Sequence, residues 1–163
     1  MRLFLLLGGN LGNRSQTLNR AKTLLIDSIG PLVTESKVYE TAPWGVNDQP
    51  PYLNQVLEFQ TKLTPIDALT QTQAIENTLG RVRIERWGAR LIDIDLLYYD
   101  DLSLQTDRLI LPHPRLHERR FALVPLCDVA PDFVHPILGK TNAELLGDCG
   151  DSGFVRTPNT HTG

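Results

Sequence analysis

The chain has 163 residues, 41% of them hydrophobic and 21% charged, with a formal net charge of −3. That length suits one domain with its own core, and the charge gives no global pull towards nucleic acid or an anionic membrane. Its cysteines, Cys127 and Cys149, lack metal-type spacing, which argues against a disulfide scaffold and a zinc site and fits a reducing, cytoplasmic setting.

In chain order, Leu3–Leu7 reads as a buried first strand, too short for a signal segment or a membrane span. The Gly8-Gly9-Asn10 turn ends it. A helix is predicted over 15–29, capped by Ser15, with Leu18, Ala21, Leu25 and Ile29 near helical spacing and Gly30-Pro31 as its stop. Residues 33–40 and 53–61 read as strands. The proline-rich stretch between them, TAPWGVNDQPPY, is a long loop, and long ordered loops in small domains are usually functional. Thr64-Pro65-Ile66-Asp67 starts a second helix, with a cap, a proline in the first turn and an acid near the positive end. It runs to Leu79 and ends at Gly80. An arginine-rich loop, 81–90, feeds a strand over 91–99. After a short hairpin or loop, Pro112 and Pro114 forbid regular structure, and a helix is expected near Leu116. Residues 147–163 read as a flexible tail, leaving 1–146 as a single domain. The order β-α-β-β-α-β is the ferredoxin-like arrangement. It is an α+β fold with an antiparallel sheet, helices on one face and additional C-terminal elements.

The chemistry centres on RWGARLIDIDLLYYDD, 86–101. Strand alternation sends Asp93 and Asp95 to one face, about 7 Å apart by Cα, and Ile92, Ile94 and Leu96 to the other. Taken alone, such a pair reads as solvated acids on an open sheet face. The alternative is that they hold Mg²⁺ shared with substrate phosphates. The neighbouring Arg81, Arg83, Arg86, Arg90, Arg108 and Arg119 favour the second reading, because guanidinium groups with a metal suit a polyphosphate. His113, held between two prolines, is placed to donate to phosphate or to move a proton. Gln73 and Glu76 share a helix face and by spacing alone are solvated. Trp44, Tyr52, Trp87 and Phe121 fall outside the apolar periodicity. They are either loop anchors or a stacking site for a flat heteroaromatic ring, with Asn54 able to read that ring's edge.

LGGNLGNR (7–14), YETAPWG with DQPPYLN (39–54), GRVRIERWGARLIDIDLLYYDD (80–101) and LPHPRLHERRFALVPL (111–126) together resemble the 6-hydroxymethyl-7,8-dihydropterin pyrophosphokinases in order and spacing. The resemblance implies a cytoplasmic, monomeric diphosphotransferase of folate biosynthesis with a ferredoxin-like fold. Its substrates would be ATP and the hydroxymethyl-dihydropterin, its product besides the pterin diphosphate would be AMP, and its cofactor would be two Mg²⁺. It implies no nucleic-acid or membrane partner. Under it, Asp93 and Asp95 are the metal ligands. Gln73, Glu76, Arg81, Trp87, Arg90, Arg108, His113 and Arg119 serve the nucleotide side, with Arg81 and Arg90 catalytic and closing on the phosphates. Tyr52 and Phe121 sandwich the pterin, whose edge meets Asn54 and the backbone of Thr41, Pro43 and Trp44. Gly9, Ala89, Leu91 and Asp100 depart from the family's usual Ser, Pro, Thr and Gly. Two other classes stay open on residue types. One is a ferredoxin-like module binding a nucleotide or single-stranded nucleic acid; the other is a kinase moving one phosphoryl group, against which GGNLGN lacks the P-loop lysine.

Overall fold

The computed structural model describes residues 1–10, 12–43, 50–80 and 91–158. Its elements are β1 (Arg2–Gly9), α1 (Arg14–Ser28), β2 (Leu32–Glu35), β3 (Tyr39–Thr41), β4 (Tyr52–Gln60), α2 (Pro65–Leu79), β5 (Asp93–Tyr99), β6 (Leu104–Gln105), β7 (Ile110–Leu111), α3 (Arg120–Val129), α4 (Asn142–Asp148) and β8 (Val155–Arg156). The main sheet runs β5-β1-β4-β3-β8, with β2 also on β4, and every pairing is antiparallel. The core order β5-β1-β4-β3 is what a ferredoxin-like βαββαβ chain requires, with its first and third core strands central.

Both main sheet faces carry helices, which corrects the one-face expectation. Alternation on β1 sends Leu3, Leu5 and Leu7 into one core with α1 and α2, where Leu57, Phe59, Ile94 and Leu96 join them. Phe4 and Leu6 point the other way, into a second core with Val56, Leu97, Tyr98 and the residues of α3 and α4. The extra C-terminal helices therefore form a layer of their own. Tyr98 ties that layer down, its hydroxyl donating to Asn142 Oδ1 at 2.7 Å.

Local chemistry explains the departures from the predicted elements. Asn13, not Ser15, caps α1, accepting from the Gln16 N–H at 3.1 Å; Asn is at least as good a cap as Ser and starts the helix earlier. The single strand expected over 33–40 is two, because Ser36 interrupts it. Its hydroxyl accepts the Val56 N–H at 2.9 Å and donates to the Lys37 carbonyl, a side chain taking over ladder bonds from the backbone. On β5 the register slips opposite Phe4 and Leu5, leaving Leu97 as an extra residue, so Leu97 and Tyr98 both enter the second core. The Leu97 carbonyl then accepts the His113 N–H at 3.0 Å. Near Leu116 there is a single 3-10 turn, Leu116–Glu118, and the helix proper starts at Arg120. Within the stretch read as a tail, α4 extends to Asp148 and Val155–Arg156 pair with Thr41 and Glu40.

Candidate active site

The second face is covered by α3 and α4 over only part of the sheet. The covered part of this face is apolar apart from Glu58, which is buried and pairs with Arg2, and where the cover ends the face turns polar. Strand register defines the rows. Glu58, Phe4 and Tyr98 lie side by side, then Val56, Leu6 and Asp95, then Tyr39, Asn54, Gly8 and Asp93, and last Thr41 and Tyr52. Gly8 leaves a gap in the middle of the third row, which the Asn54 amide partly fills from one side and Asp93 bounds on the other. Neighbouring strands are about 4.8 Å apart, so this gap separates two polar side chains whose backbones stand about 10 Å from each other.

The gap opens into a cavity of about 260 Å³ lined by Leu6, Gly8, Thr41, Ala42, Tyr52, Asn54, Asp93, Asp95, Arg119 and Phe121. Thus the structure gathers Thr41, Tyr52, Asn54, Asp93, Asp95, Arg119 and Phe121 from β3, β4, β5 and the start of α3. Pro43 lies just outside, on an adjoining hollow. Arg81, Trp87, Arg90 and Trp44 lie outside the described residues.

Asn54 is only 4% exposed and is held from both ends of its amide. Its Oδ1 accepts from the Thr41 hydroxyl, and its Nδ2 donates to the Leu7 carbonyl at 3.3 Å. One N–H and one lone pair of the amide remain beyond these bonds. Gly8 is required for this arrangement: a Cβ there would stand 2.4 Å from Asn54 Nδ2. At Gly9 a Cβ would stand 2.2 Å from the Leu91 carbonyl oxygen. This gives a physical reason for glycine at a position where serine was expected: the backbone leading into β5 closes directly on it.

Tyr52 and Phe121 are both half-buried on the cavity wall. Burial, and then the Asp93 charge, push the Tyr52 hydroxyl's pKa up, so it stays protonated. The Arg119 guanidinium sits 5.5 Å over the Phe121 ring, adding a cation to the rim beside the two acids. Asp93 and Asp95 supply the hard oxygen donors that Mg²⁺ takes, and that ion commonly keeps waters and phosphate oxygens as its other ligands. Among the described residues no cluster of three or more His, Cys, Asp or Glu could hold a metal. The donor set therefore fits an ion shared with a substrate rather than a closed protein cage.

The remaining sequence candidates stand apart from the cavity. The carboxylate of Glu76 is engaged by β5 itself: Oε2 accepts the Ile94 N–H at 2.7 Å, on the backbone between the two aspartates. Gln73 is exposed one turn earlier on α2. Arg108 is exposed and reaches Thr70 of the same helix at 3.4 Å. These three mark a second area along α2, beside the outer edge of β5. His113 is half-buried and does not line the cavity; its Nδ1 accepts the Arg115 N–H at 3.2 Å, so the neutral ring carries its proton on Nε2. Burial, together with the charges of Arg119 and Arg115, pushes its pKa down to about 4. It is a neutral donor at pH 7, not a cation.

Sequence reasoning missed Leu6, Gly8 and Ala42 in the cavity wall, and the supports in the 7–14 block. Arg14 donates to the Pro51 carbonyl at 2.8 Å and Asn10 to the Pro50 carbonyl at 3.4 Å. Both hold the backbone just before Tyr52. Gly-Gly at a strand end signals a close backbone approach, but which groups approach depends on pairing across strands.

A sequence profile of the 7,8-dihydro-6-hydroxymethylpterin-pyrophosphokinase family matches residues 4–131. The 2-amino-4-hydroxy-6-hydroxymethyldihydropteridine pyrophosphokinase of Methylorubrum extorquens is 43% identical over 156 residues, covering 95% of this chain and 98% of its own. Its counterpart in Bacillus subtilis is 43% identical over 127 residues, covering 77% and 76%. Among solved structures, a wild-type HPPK-DHPS of Plasmodium falciparum with STZ-DHP superposes with a TM-score of 0.74 at 16% identity. That match covers 90% of this chain and 43% of the longer one, and is a likeness of fold alone. With a family profile spanning most of the chain and a 43% identical relative matched over 98% of its length, this chain belongs to the 6-hydroxymethyl-7,8-dihydropterin pyrophosphokinase family, enzymes that transfer pyrophosphate from ATP in folate biosynthesis.

Proposed function

We propose that the 6-hydroxymethyl-7,8-dihydropterin ring lies over Gly8, between Asn54 and Asp93, and that its hydroxymethyl group receives the β,γ-diphosphate of ATP there. The observation carrying this reading is that one cavity joins a ring-binding half to a phosphate-binding half. Tyr52, Phe121, Asn54 and Thr41 form the first; Asp93, Asp95 and Arg119 form the second. At about 260 Å³ the cavity is smaller than the roughly 300–1,000 Å³ of pockets that take drug-sized ligands. A bicyclic pterin suits it, and ATP reaches it only with its phosphates.

In this reading Tyr52 and Phe121 stack on the two ring faces, and Asn54, already fixed by Thr41 and Leu7, meets the ring's polar edge without reorganising. The hydroxymethyl arm then points to the acids. Its oxygen attacks the β-phosphorus of ATP, the bond from that phosphorus to the α-phosphate bridging oxygen breaks, AMP leaves with that oxygen, and the hydroxyl proton passes to solvent water. Asp93 and Asp95 would hold two Mg²⁺, and ions bound there would neutralise phosphate charge during an in-line displacement. Arg119 adds fixed positive charge where negative charge accumulates. His113 donates Nε2–H to a phosphate oxygen and, with a pKa near 4, is a poor base for an alcohol. Gln73, Glu76, Arg108 and Trp87 hold the nucleoside end, and Arg81 and Arg90 complete the charge around the phosphates. Catalysis is then mostly positioning and charge stabilisation. Among the described residues no helix is long and apolar enough to cross a membrane. Free Cys127 and Cys149 are consistent with a reducing cytoplasm, and the sequence resemblance is what supports a monomer.

The reading is tested by binding. The pterin should compete with a fluorescent pterin analogue and protect Tyr52 and Phe121 signals in aromatic NMR spectra. Pterin binding that leaves both rings unperturbed would place the ligand elsewhere.

A further inference from the structure

The C-terminal segment bridges the two walls of the ring-binding half. Its strand β8 pairs Val155 with Thr41 and Arg156 with Glu40, and the Ala42 N–H donates to the Phe154 carbonyl at 3.1 Å. Thr41 and Ala42 line the cavity. A few residues earlier, Asp151 grips the opposite wall. Its Oδ2 accepts the Arg120 N–H at 3.1 Å, at the first residue of α3, while Oδ1 accepts the Gly153 N–H at 2.9 Å. Arg120 stands between Arg119 and Phe121, both of which line the cavity. An adjoining hollow of about 400 Å³ is walled by Ala42, Pro43 and Phe121 on one side and by Asp151, Gly153 and Phe154 on the other. The segment thus forms the outer support of the cavity wall. None of it falls within the family match, which ends at residue 131.

We propose that residues 151–156 are a positioning brace that sets the spacing between Thr41–Ala42 and Phe121, and through it the affinity for the pterin. The inference rests on the reading that these residues form the ring-binding half. Two anchors differ in weight. Arg156 bonds Glu40 Oε1 at 2.8 and 3.0 Å, and Glu40 passes the connection to Arg14 at 3.4 Å. The Arg156 side chain is 59% exposed, and exposed ion pairs contribute little. Asp151 is half-buried and joins the tail to a helix start that lacks any side-chain cap of its own from Arg119. The larger effect therefore belongs to Asp151. The brace's bonds run to β3 and the start of α3 rather than to α2 or β5, so the effect should fall first on the pterin and only weakly, through Arg119 beside Arg120, on ATP.

The test uses the full chain with Asp151→Ala, Asp151→Asn and Arg156→Ala. KM for pterin, KM for ATP, kcat and melting temperature are measured for each. Asp151→Ala should raise the pterin KM by roughly tenfold, the scale of losing a helix cap. Its ATP KM should stay within about twofold, and its melting temperature should change by only a few degrees. Asp151→Asn, which keeps an acceptor oxygen, should recover most of the pterin affinity, and Arg156→Ala should show a smaller shift of the same kind. Parallel loss of both affinities with a large fall in melting temperature would mean a general stabilising role and overturn the brace. An unchanged pterin KM in Asp151→Ala would also overturn it while leaving the proposed function standing. A wild-type chain that turns over but whose Phe121→Ala and Tyr52→Ala variants keep normal pterin KM would instead remove the pterin-wall reading on which the brace depends.

Discussion

The two faces of the sheet solve different problems with the same strands. Facing α1 and α2, β1, β4 and β5 present Leu3, Leu5, Leu7, Leu57, Phe59, Ile94 and Leu96, all essentially removed from water. On the other face the same strands begin with Phe4, Val56 and Tyr98 under α3 and α4, then change to Asn54, Gly8, Asp93 and Asp95 where that cover stops. The alternation of β5 makes the contrast local: Ile94 and Leu96 are core, while the residues flanking and separating them, Asp93 and Asp95, line the cavity. Paired acids are tolerated in an apolar run because the strand's second face is open at that end. Burial would raise the cost of both charges steeply, so the incomplete cover is what makes the site possible.

Four substitutions sharpen this contrast. The largest effect is expected on the open face. Asp95→Ala should lower turnover by about 10³-fold or more, as for loss of a principal charge-organising group, with a melting temperature within a few degrees of wild type. Turnover near normal at saturating Mg²⁺ would remove the metal role. One residue on, Leu96→Ala should do the reverse. With 4% exposure it should cost about 2–5 kcal/mol of stability in denaturant unfolding, while the KM values of the folded protein stay close to normal. Activity loss without stability loss there would mean the faces are not separable.

Gly8→Ala tests the gap between the polar side chains. The new methyl would press on the Asn54 amide, so the pterin KM should rise by about tenfold with the ATP KM little changed. An unaffected pterin KM would move the ring away from Gly8. The smallest effect concerns His113. Its pKa is lowered from 6.5 to about 4 in the folded chain, so above pH 6.5 it is neutral folded or unfolded and adds no pH dependence. As pH falls from 6.5 towards 4, the unfolded chain binds a proton that the folded chain refuses, and stability drops. His113→Asn should flatten that part of the stability–pH curve relative to wild type. His135, also shifted down by burial, remains as a common background in both proteins. Identical curves would mean His113 titrates normally.

The order of core elements was legible because each is signalled locally: Leu3–Leu7 by its run, α2 by Thr64-Pro65, β5 by alternation around its acids. Asp93 and Asp95 were legible as a pair for the same reason. What escaped depends on contacts distant in sequence. The second helical layer is invisible until Tyr98 finds Asn142 and Leu97 is bulged out. The break in β2–β3 needs Ser36 to meet Val56. Gly8 acquires its meaning only from Asn54 on the neighbouring strand. Glu76 had a helix-face signal, but its carboxylate's hold on the Ile94 N–H follows from packing α2 beside the sheet edge. Val155–Arg156 lies in a stretch whose composition reads as solvent-loving, and only the edge of β3 makes it a strand.

The chemistry proposed for this cavity is diphosphoryl transfer from ATP to a pterin alcohol. Phosphorus-31 NMR of the full chain incubated with ATP, Mg²⁺ and 6-hydroxymethyl-7,8-dihydropterin tests it most directly, with the Asp95→Ala protein as control. The spectrum should show AMP and a pterin diphosphate appearing one for one in the wild-type reaction, and neither in the control. Stoichiometric ADP with a pterin monophosphate, or an undiminished AMP signal from the Asp95→Ala protein, would contradict the account.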